Sequence, residues 1–371
     1  MKRVIAAHLL NDRSGSPLVL RTALQSLHAA GFRLELLTAT GAEPGFLSDL
    51  PGVTTHPLPY RWSPNKWLTL LYFLRAQVLL FVKVLRLAGP GTVVYVNSLL
   101  PAGAALAAWC RGARVVYHLH EVSIRPALLM RLLCLVANIT ADRALFVSCY
   151  VKRTLGLRVP QQHVVPNALS AAFVAEALGA RARPATAPFV VLMACSLKDY
   201  KGVPEFLQLA RALPDMQFEL VLNAPAAQVQ HYQRHGAVPA NLTLFSATQD
   251  MHPFYRRAAV VLNLSRPAEW VETFGMTILE ALQYGRPVVV PTVGGVAEVN
   301  QAGQTGFAID GRNLPALRAA LTLLHHNAQT YQRMASACRL RAAEFAPARF
   351  AQQIQQHFQA ECAAAPGLPA S

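Results

Sequence analysis

The 371-residue sequence predicts an α/β protein built from two doubly wound domains in tandem. Two series of short apolar runs, each run followed by a helix-period segment, carry that prediction, and an Ala-, Arg- and Pro-rich stretch separates the series. Hydrophobic content of 53% against 14% charged residues supports a core in each domain.

In the first series the strand candidates are residues 4–8, 34–38, 53–56, 93–97, 115–119 and 145–147, with helices starting near Pro17, Trp67, Pro101 and Pro126. The run VVPNAL (164–169) reads as its last strand, and the composition shift after it marks a linker. The second series places strands at 189–194, 218–223, 242–245, 260–264, 288–290 and 307–309. Pro347 suits a first helical position, where its missing N–H costs nothing, and opens a terminal helix. The expected limits are 1–170 and 188–345 for the domains, 171–187 for the linker, 346–362 for the helix and 363–371 for a tail.

The most informative stretch is ETFGMTILE (272–280), two glutamates eight positions apart. The apolar run 260–264 has the pattern of a buried parallel strand and leads into a polar loop. Met276, Ile278, Leu279 and Leu282 then form a stripe at helical spacing, stopped by Gly285-Arg286-Pro287. A helix that starts just after a strand offers free N–H groups and the positive end of its dipole to an anion. Gly275 is expected to let a phosphate approach the backbone. Glu272 falls in the loop, and Glu280 lies far enough into the helix to meet a ribose diol instead of a phosphate.

Together with PVVVPTVGGVAEV (287–299), this stretch resembles the donor-site signature of glycosyltransferase family 4, retaining enzymes of the GT-B fold. The resemblance implies two facing Rossmann-like domains and a C-terminal helix that crosses back to the first. It also implies roles: Glu272 on the donor sugar's hydroxyls, the backbone of Gly275, Met276 and Thr277 after Phe274 on the diphosphate, and Glu280 on the ribose. CSLKDYKG (195–202) resembles the family loop in which an arginine and, five residues later, a lysine clamp the diphosphate. Lys201 matches the lysine, but Ser196 stands where the arginine is expected, with Lys198 as the nearest substitute cation. In VYHLHE (116–121), strand alternation puts His118 and His120 on one face, and His120 matches the family histidine that approaches the donor sugar. A zinc site from His118, His120 and Glu121 would lack a fourth ligand at a suitable spacing. In NDRSGSP (11–17) only Gly15 stands where the family carries a glycine-rich, acceptor-side loop.

No Asp-x-Asp pair occurs in the sequence, so transfer without a metal or other cofactor is expected, with a nucleotide-diphosphate sugar as substrate. The net charge of +15 is uneven: residues 1–170 carry 18 Lys and Arg against 6 Asp and Glu, and residues 171–371 carry 16 against 13. A basic first domain favours an anionic partner, and since no nucleic-acid reading module is present, a membrane surface fits better. Residues 66–87, KWLTLLYFLRAQVLLFVKVLRL, place Arg75, Lys83 and Arg86 on one side of an otherwise apolar helix. That pattern suits either an interfacial helix or one packed on the first sheet, and the charges interrupt it too often for a spanning segment. The six cysteines show no metal or disulfide spacing and read as reduced core thiols. The short apolar run at the N-terminus reads as a first strand and not a leader, so a cytoplasmic protein, peripheral to the membrane's inner face, is expected.

The resemblance therefore implies a glycosyltransferase acting on a glycan or a lipid-linked acceptor in the synthesis of cell-surface polysaccharide or lipopolysaccharide. Its rivals are a nucleotide-sugar 2-epimerase of the same architecture and a non-catalytic, membrane-docked binder of sugar nucleotides.

Overall fold

A computed structural model of the chain describes residues 2–39, 44–61, 63–181, 183–184 and 186–364. The chain divides into two compact units, Met1–Ala168 with Pro347–Ser371, and Leu169–Ala346.

Unit 1 alternates β1 (Arg3–Ala7), α1 (Gly15–Ala29), β2 (Arg33–Ala39), β3 (Val53–Leu58), α2 (Lys66–Leu87), β4 (Thr92–Asn97), α3 (Ala102–Cys110), β5 (Arg114–Leu119), α4 (Ala127–Thr140), β6 (Arg143–Phe146), α5 (Cys149–Leu155) and β7 (Gln161–Val164). Its seven strands are all parallel, in the order β3-β2-β1-β4-β5-β6-β7. Every residue of β4, TVVYVN, is buried, as a strand covered on both faces requires.

Unit 2 runs through α6 (Ala171–Gly179), β8 (Val190–Cys195), α7 (Val203–Ala212), β9 (Gln217–Leu222), α8 (Ala226–His235), β10 (Leu242–Phe245), α9 (His252–Arg257), β11 (Ala258–Leu262), α10 (Met276–Gln283), β12 (Val288–Val290), α11 (Gly295–Val299), β13 (Gly306–Ala308), α12 (Leu314–His326) and α13 (Ala328–Ala343). Its six parallel strands take the order β10-β9-β8-β11-β12-β13. Phe206, Phe218, Leu262, Val289 and Leu321 belong to one buried cluster that packs α7 and α12 on one face of this sheet.

The terminal helix α14 (Pro347–Ala364) belongs to unit 1. Phe350, Ile354 and Phe358, spaced one turn apart, enter the core beside Leu20, Leu24 and Tyr95. The Arg143 Nε to Glu361 Oε1 pair at 2.8 Å then fastens the helix end to the start of β6. Both partners are buried, so the loss of either one strands a charge.

Several expectations change. VVPNAL is not itself the last strand, which lies earlier at Gln161–Val164 and so shifts the edge of the sheet. Residues 171–187, expected as a linker, open on a helix: the Ser170 hydroxyl caps α6 by accepting from the Phe173 N–H at 3.1 Å. The Phe173 ring stacks on His252 with centroids 4.3 Å apart, which holds the helix to unit 2. Only part of the expected tail, residues 363–364, lies within the described residues. Of the cysteines, Cys338 is a core thiol, but Cys110 and Cys149 are exposed. Helix α2 is long and apolar enough to cross a membrane by length and composition alone, and it packs Phe73, Ala76, Leu80 and Val84 inward.

Candidate functional site

In an open parallel sheet, ligands gather outside the carboxyl ends of the strands where the strand order reverses. In unit 2 that point lies between β8 and β11. The loop after β8 brings Lys201 to this edge and the loop after β11 brings Glu272, and the two side chains form an ion pair. Ser265, buried at the start of the second loop, donates from Oγ to the same Glu272 oxygen at 3.2 Å. The Lys201 ammonium also lies 5.0 Å from the centre of the Trp270 ring, within cation–π range.

The backbone of Glu272 is fixed by a glycine pair. Gly294 has a φ of +105°, and a Cβ there would meet the Glu272 carbonyl oxygen at 2.5 Å, while the Gly295 N–H donates to that oxygen at 2.8 Å. Gly275, at φ +99°, begins α10, and a Cβ on it would lie 2.6 Å from Val296 Cγ2. Left-handed backbone and close packing on α11 both require a glycine at this position. Ile278 and Leu279 donate back to the Gly275 carbonyl at 3.2 and 3.1 Å, so the N–H groups of Met276 and Thr277 lie at the open first turn. Phe274, expected among the donor-binding residues, turns inward: its ring is buried and stands edge-on to Phe345, with centroids 5.8 Å apart.

Glu280 lies one turn further along α10, where the Tyr255 hydroxyl donates to Oε2 at 2.5 Å. Burial pushes the Glu280 carboxyl up to about 7, with the Tyr255 hydrogen bond working against the shift. In the loop after β8, the Ser196 carbonyl accepts from the Lys198 N–H at 2.8 Å and the Lys198 carbonyl from the Lys201 N–H at 3.0 Å. This coil turns Lys201 toward Glu272 and leaves Lys198 exposed.

In unit 1 the strand order reverses between β1 and β4, and the carboxyl edge there holds a buried group of imidazoles and an amide. Asn97, ending β4, accepts at Oδ1 from His120 Nε2 at 2.8 Å, and its backbone carbonyl accepts from His8 Nδ1 at 3.0 Å. Burial, with help from the neighbouring His118 and His8, holds the His120 imidazole well below its ordinary pKa. Burial also lowers His8. His118 sits deeper, pulled down to about 3, and its Nδ1 meets the Tyr95 hydroxyl at 2.7 Å. Glu121 accepts the Leu99 N–H at 2.9 Å, and burial raises its carboxyl. Gly15 is the exposed first residue of α1, with open space where a Cβ would go.

Among the described residues, one group offers metal-ligand atoms within 4.8 Å of one another: Glu176, Asp250 and His252. Glu176 there is already paired with Arg256 at 2.7 Å. Unit 2 thus assembles Lys201, Glu272 and the first turn of α10, with Glu280 farther along that helix. Unit 1 assembles His120 with Asn97 and His8. Asn97, Tyr255, Ser265 and Trp270 escape the sequence reading. Asn97 alone left a signal, as a polar residue closing an apolar strand.

Residues 13–173 match the family model described as Glycosyltransferase Family 4, and residues 188–327 match that of the Glycosyl transferases group 1. The D-inositol 3-phosphate glycosyltransferase of Paenarthrobacter aurescens is 28% identical over 157 residues, which are 39% of this chain and 38% of the relative. The enzyme of that name from Pseudarthrobacter chlorophenolicus is 27% identical over 227 residues, 56% of this chain and 51% of the relative. The chain therefore spans about half or less of the length of these curated relatives. HepE of Anabaena, solved with UDP and glucose, superposes with a TM-score of 0.74 at 19% identity, covering 97% of this chain and 99% of that one. The sucrose-phosphate synthase of Thermosynechococcus elongatus gives 0.75 at 19% identity, covering 98% and 100%. At such identities the likeness is one of fold, and it matches the two parallel α/β units described above. With a family model on each unit and the GT-B architecture throughout, the chain belongs to glycosyltransferase family 4, the glycosyl transferases group 1.

Proposed function

We propose that the protein is a retaining, metal-independent glycosyltransferase that moves a sugar from a nucleotide-diphosphate donor to a hydroxyl of a glycan or lipid-linked acceptor in cell-surface polysaccharide synthesis. The observation that carries the reading is the Lys201–Glu272 pair at the β8/β11 reversal, beside the open first turn of α10. A fixed ammonium and free N–H groups suit a leaving diphosphate, because positioned charge is commonly the largest single contribution to such a transition state. Glu272 then takes the donor sugar's hydroxyls, Glu280 takes the ribose, and neutral His120, oriented by Asn97, hydrogen-bonds the sugar. The UDP and UDP-glucose bound in the HepE structures support a donor of this class. The acceptor attacks from the face that the diphosphate leaves, so no covalent nucleophile is required. The basic first unit, with α2, docks on an anionic surface at the inner face of the membrane.

Purified protein incubated with a panel of labelled nucleotide sugars tests this reading. Acceptor-dependent release of nucleotide is the expected result. Isomerisation of the donor without an acceptor would replace it with epimerase chemistry, and binding without turnover would leave a non-catalytic binder.

A further inference from the structure

Unit 1 carries a groove of about 1150 Å³ at the carboxyl edge of its sheet, between the starts of α2 and α4. Its wall includes Leu70, Phe73, Leu100 and Leu129, while Lys66 and Arg125, also in the lining, are exposed. The volume lies just above the roughly 300–1,000 Å³ usual for small-molecule sites.

The helices beside the groove turn apolar side chains outward as well as inward. On α2 the exposed residues Trp67, Leu71, Leu74 and Val78 follow one another at spacings of four, three and four, opposite the inward Phe73, Ala76 and Leu80. On α4 Leu128, Leu132, Leu135 and Ile139 repeat the same spacing, opposite Leu133 and Ala137. Helix α3 lies against both, so the stripes belong to one side of the sheet. Patches of this kind on a folded protein mark an interaction surface.

Charge selects the occupant. Between residues 51 and 141 there are nine Lys and Arg, and the one carboxylate is Glu121, which is bonded to the Leu99 N–H. A second copy of this chain would bring the same positive field to the surface, whereas an anionic lipid brings its complement.

We propose that the groove binds the hydrocarbon chain of an anionic lipid, with Lys66 and Arg125 taking its phosphate and the α2 and α4 stripes lying in the lipid surface that supplies it. Assigning that lipid to the acceptor rests on the transfer reading above. The groove lies at the same carboxyl edge of the sheet as Asn97 and His120.

The test uses the full chain and hexadecyl phosphate brominated along its chain, below its micellar concentration, with quenching of tryptophan fluorescence as the readout. Hexadecyl phosphate is expected to bind at least tenfold more tightly than butyl phosphate, and inorganic phosphate is expected not to displace it. Leu70→Gln with Leu129→Gln should weaken the chain probe at least tenfold and leave UDP affinity unchanged. Lys66→Gln with Arg125→Gln should weaken hexadecyl phosphate but not hexadecanol. Equal binding of butyl and hexadecyl phosphate, or unchanged binding by the groove variant, overturns the proposal. So does a dimer in sedimentation that Leu132→Glu dissociates, if the wild type then ignores vesicles of phosphatidylglycerol. Chain binding together with sugar transfer confined to water-soluble glycans would keep the groove and remove the lipid-linked acceptor.

Discussion

The two sheets share one plan and finish it with opposite chemistry. At the carboxyl edge of unit 2 an ammonium and a carboxylate are paired and partly open to solvent, while at that of unit 1 imidazoles and an amide are buried and linked by hydrogen bonds. A buried group keeps its charge only where a partner is supplied, and otherwise gives it up. On the proposed reading the difference would divide the labour: unit 2 would carry the charge that a diphosphate needs, and unit 1 would supply neutral donors and acceptors for uncharged hydroxyls.

The largest expected effect comes from removing the charged side of this contrast. Lys201→Ala should lower kcat by about 10²–10³-fold, the usual loss when one positioned donor leaves a developing anion. Because the pair is partly exposed, stability should fall by about 1 kcal/mol or less. Steady-state rates and thermal unfolding on one preparation separate the two effects, and activity above a tenth of wild type removes Lys201 from the clamp.

Acid sharpens the comparison, since the two edges respond in opposite directions. In unit 1 the folded imidazoles of His8, His118 and His120 refuse a proton that the unfolded chain accepts near pH 6.5. Stability is therefore lost as pH falls below about 6.5, at about 1.4 kcal/mol per pH unit for each histidine still neutral in the fold. In unit 2 the Glu280 carboxyl, raised to about 7, holds a proton that the unfolded chain releases above 4.5. Its contribution is present below 4.5 and is lost as pH rises through about 7. Hydrogen exchange from pH 5 to 7.5, converted to opening free energies, should show β5 gaining protection with rising pH and α10 losing it.

Much of this contrast was legible in the sequence. The apolar runs located nearly every strand within a few residues, because a strand covered on both faces admits little but Val, Leu, Ile and Ala. ETFGMTILE located the unit 2 edge for the same local reason, since a strand end and a helix start lie within one stretch. What stayed hidden depends on long-range packing. The ring of Phe274 is turned inward by Phe345, 71 residues away, and Glu280 owes part of its environment to Tyr255 on another helix. Asn97 gains its meaning only when β1, β4 and β5 align side by side.

The two glutamates of unit 2 should separate when tested. Glu280→Gln is expected to weaken nucleotide affinity about tenfold at pH 8, where the carboxyl is ionised, and to change little at pH 6, where the native group already holds its proton. Glu272→Gln should instead lower turnover with little change in nucleotide affinity, because its oxygen is engaged by Lys201 and Ser265. Calorimetric titration with UDP beside rate measurements decides the matter, and equal loss of both properties in either variant ends the division of roles.

The smallest effect belongs to Ser196→Arg. Ser196 follows β8 in the loop that leads to Lys201, at the position where the family resemblance expects a second cation, and Lys198 beside it remains exposed. Lys201 already shares its charge with Glu272, so a guanidinium at 196 would add positive charge where, on the proposed reading, a diphosphate would meet one fixed ammonium and the first turn of α10. In a partly solvated loop that addition is worth about 1 kcal/mol or less, a few-fold gain in kcat/KM. A gain at low salt that fades at high salt would mark unit 2 as short of one cation. A loss in the serine-to-arginine variant, with a matching loss in Lys198→Ala, would instead show that Lys198 swings in when the donor binds, and that the native loop already completes the positive charge of the unit 2 edge.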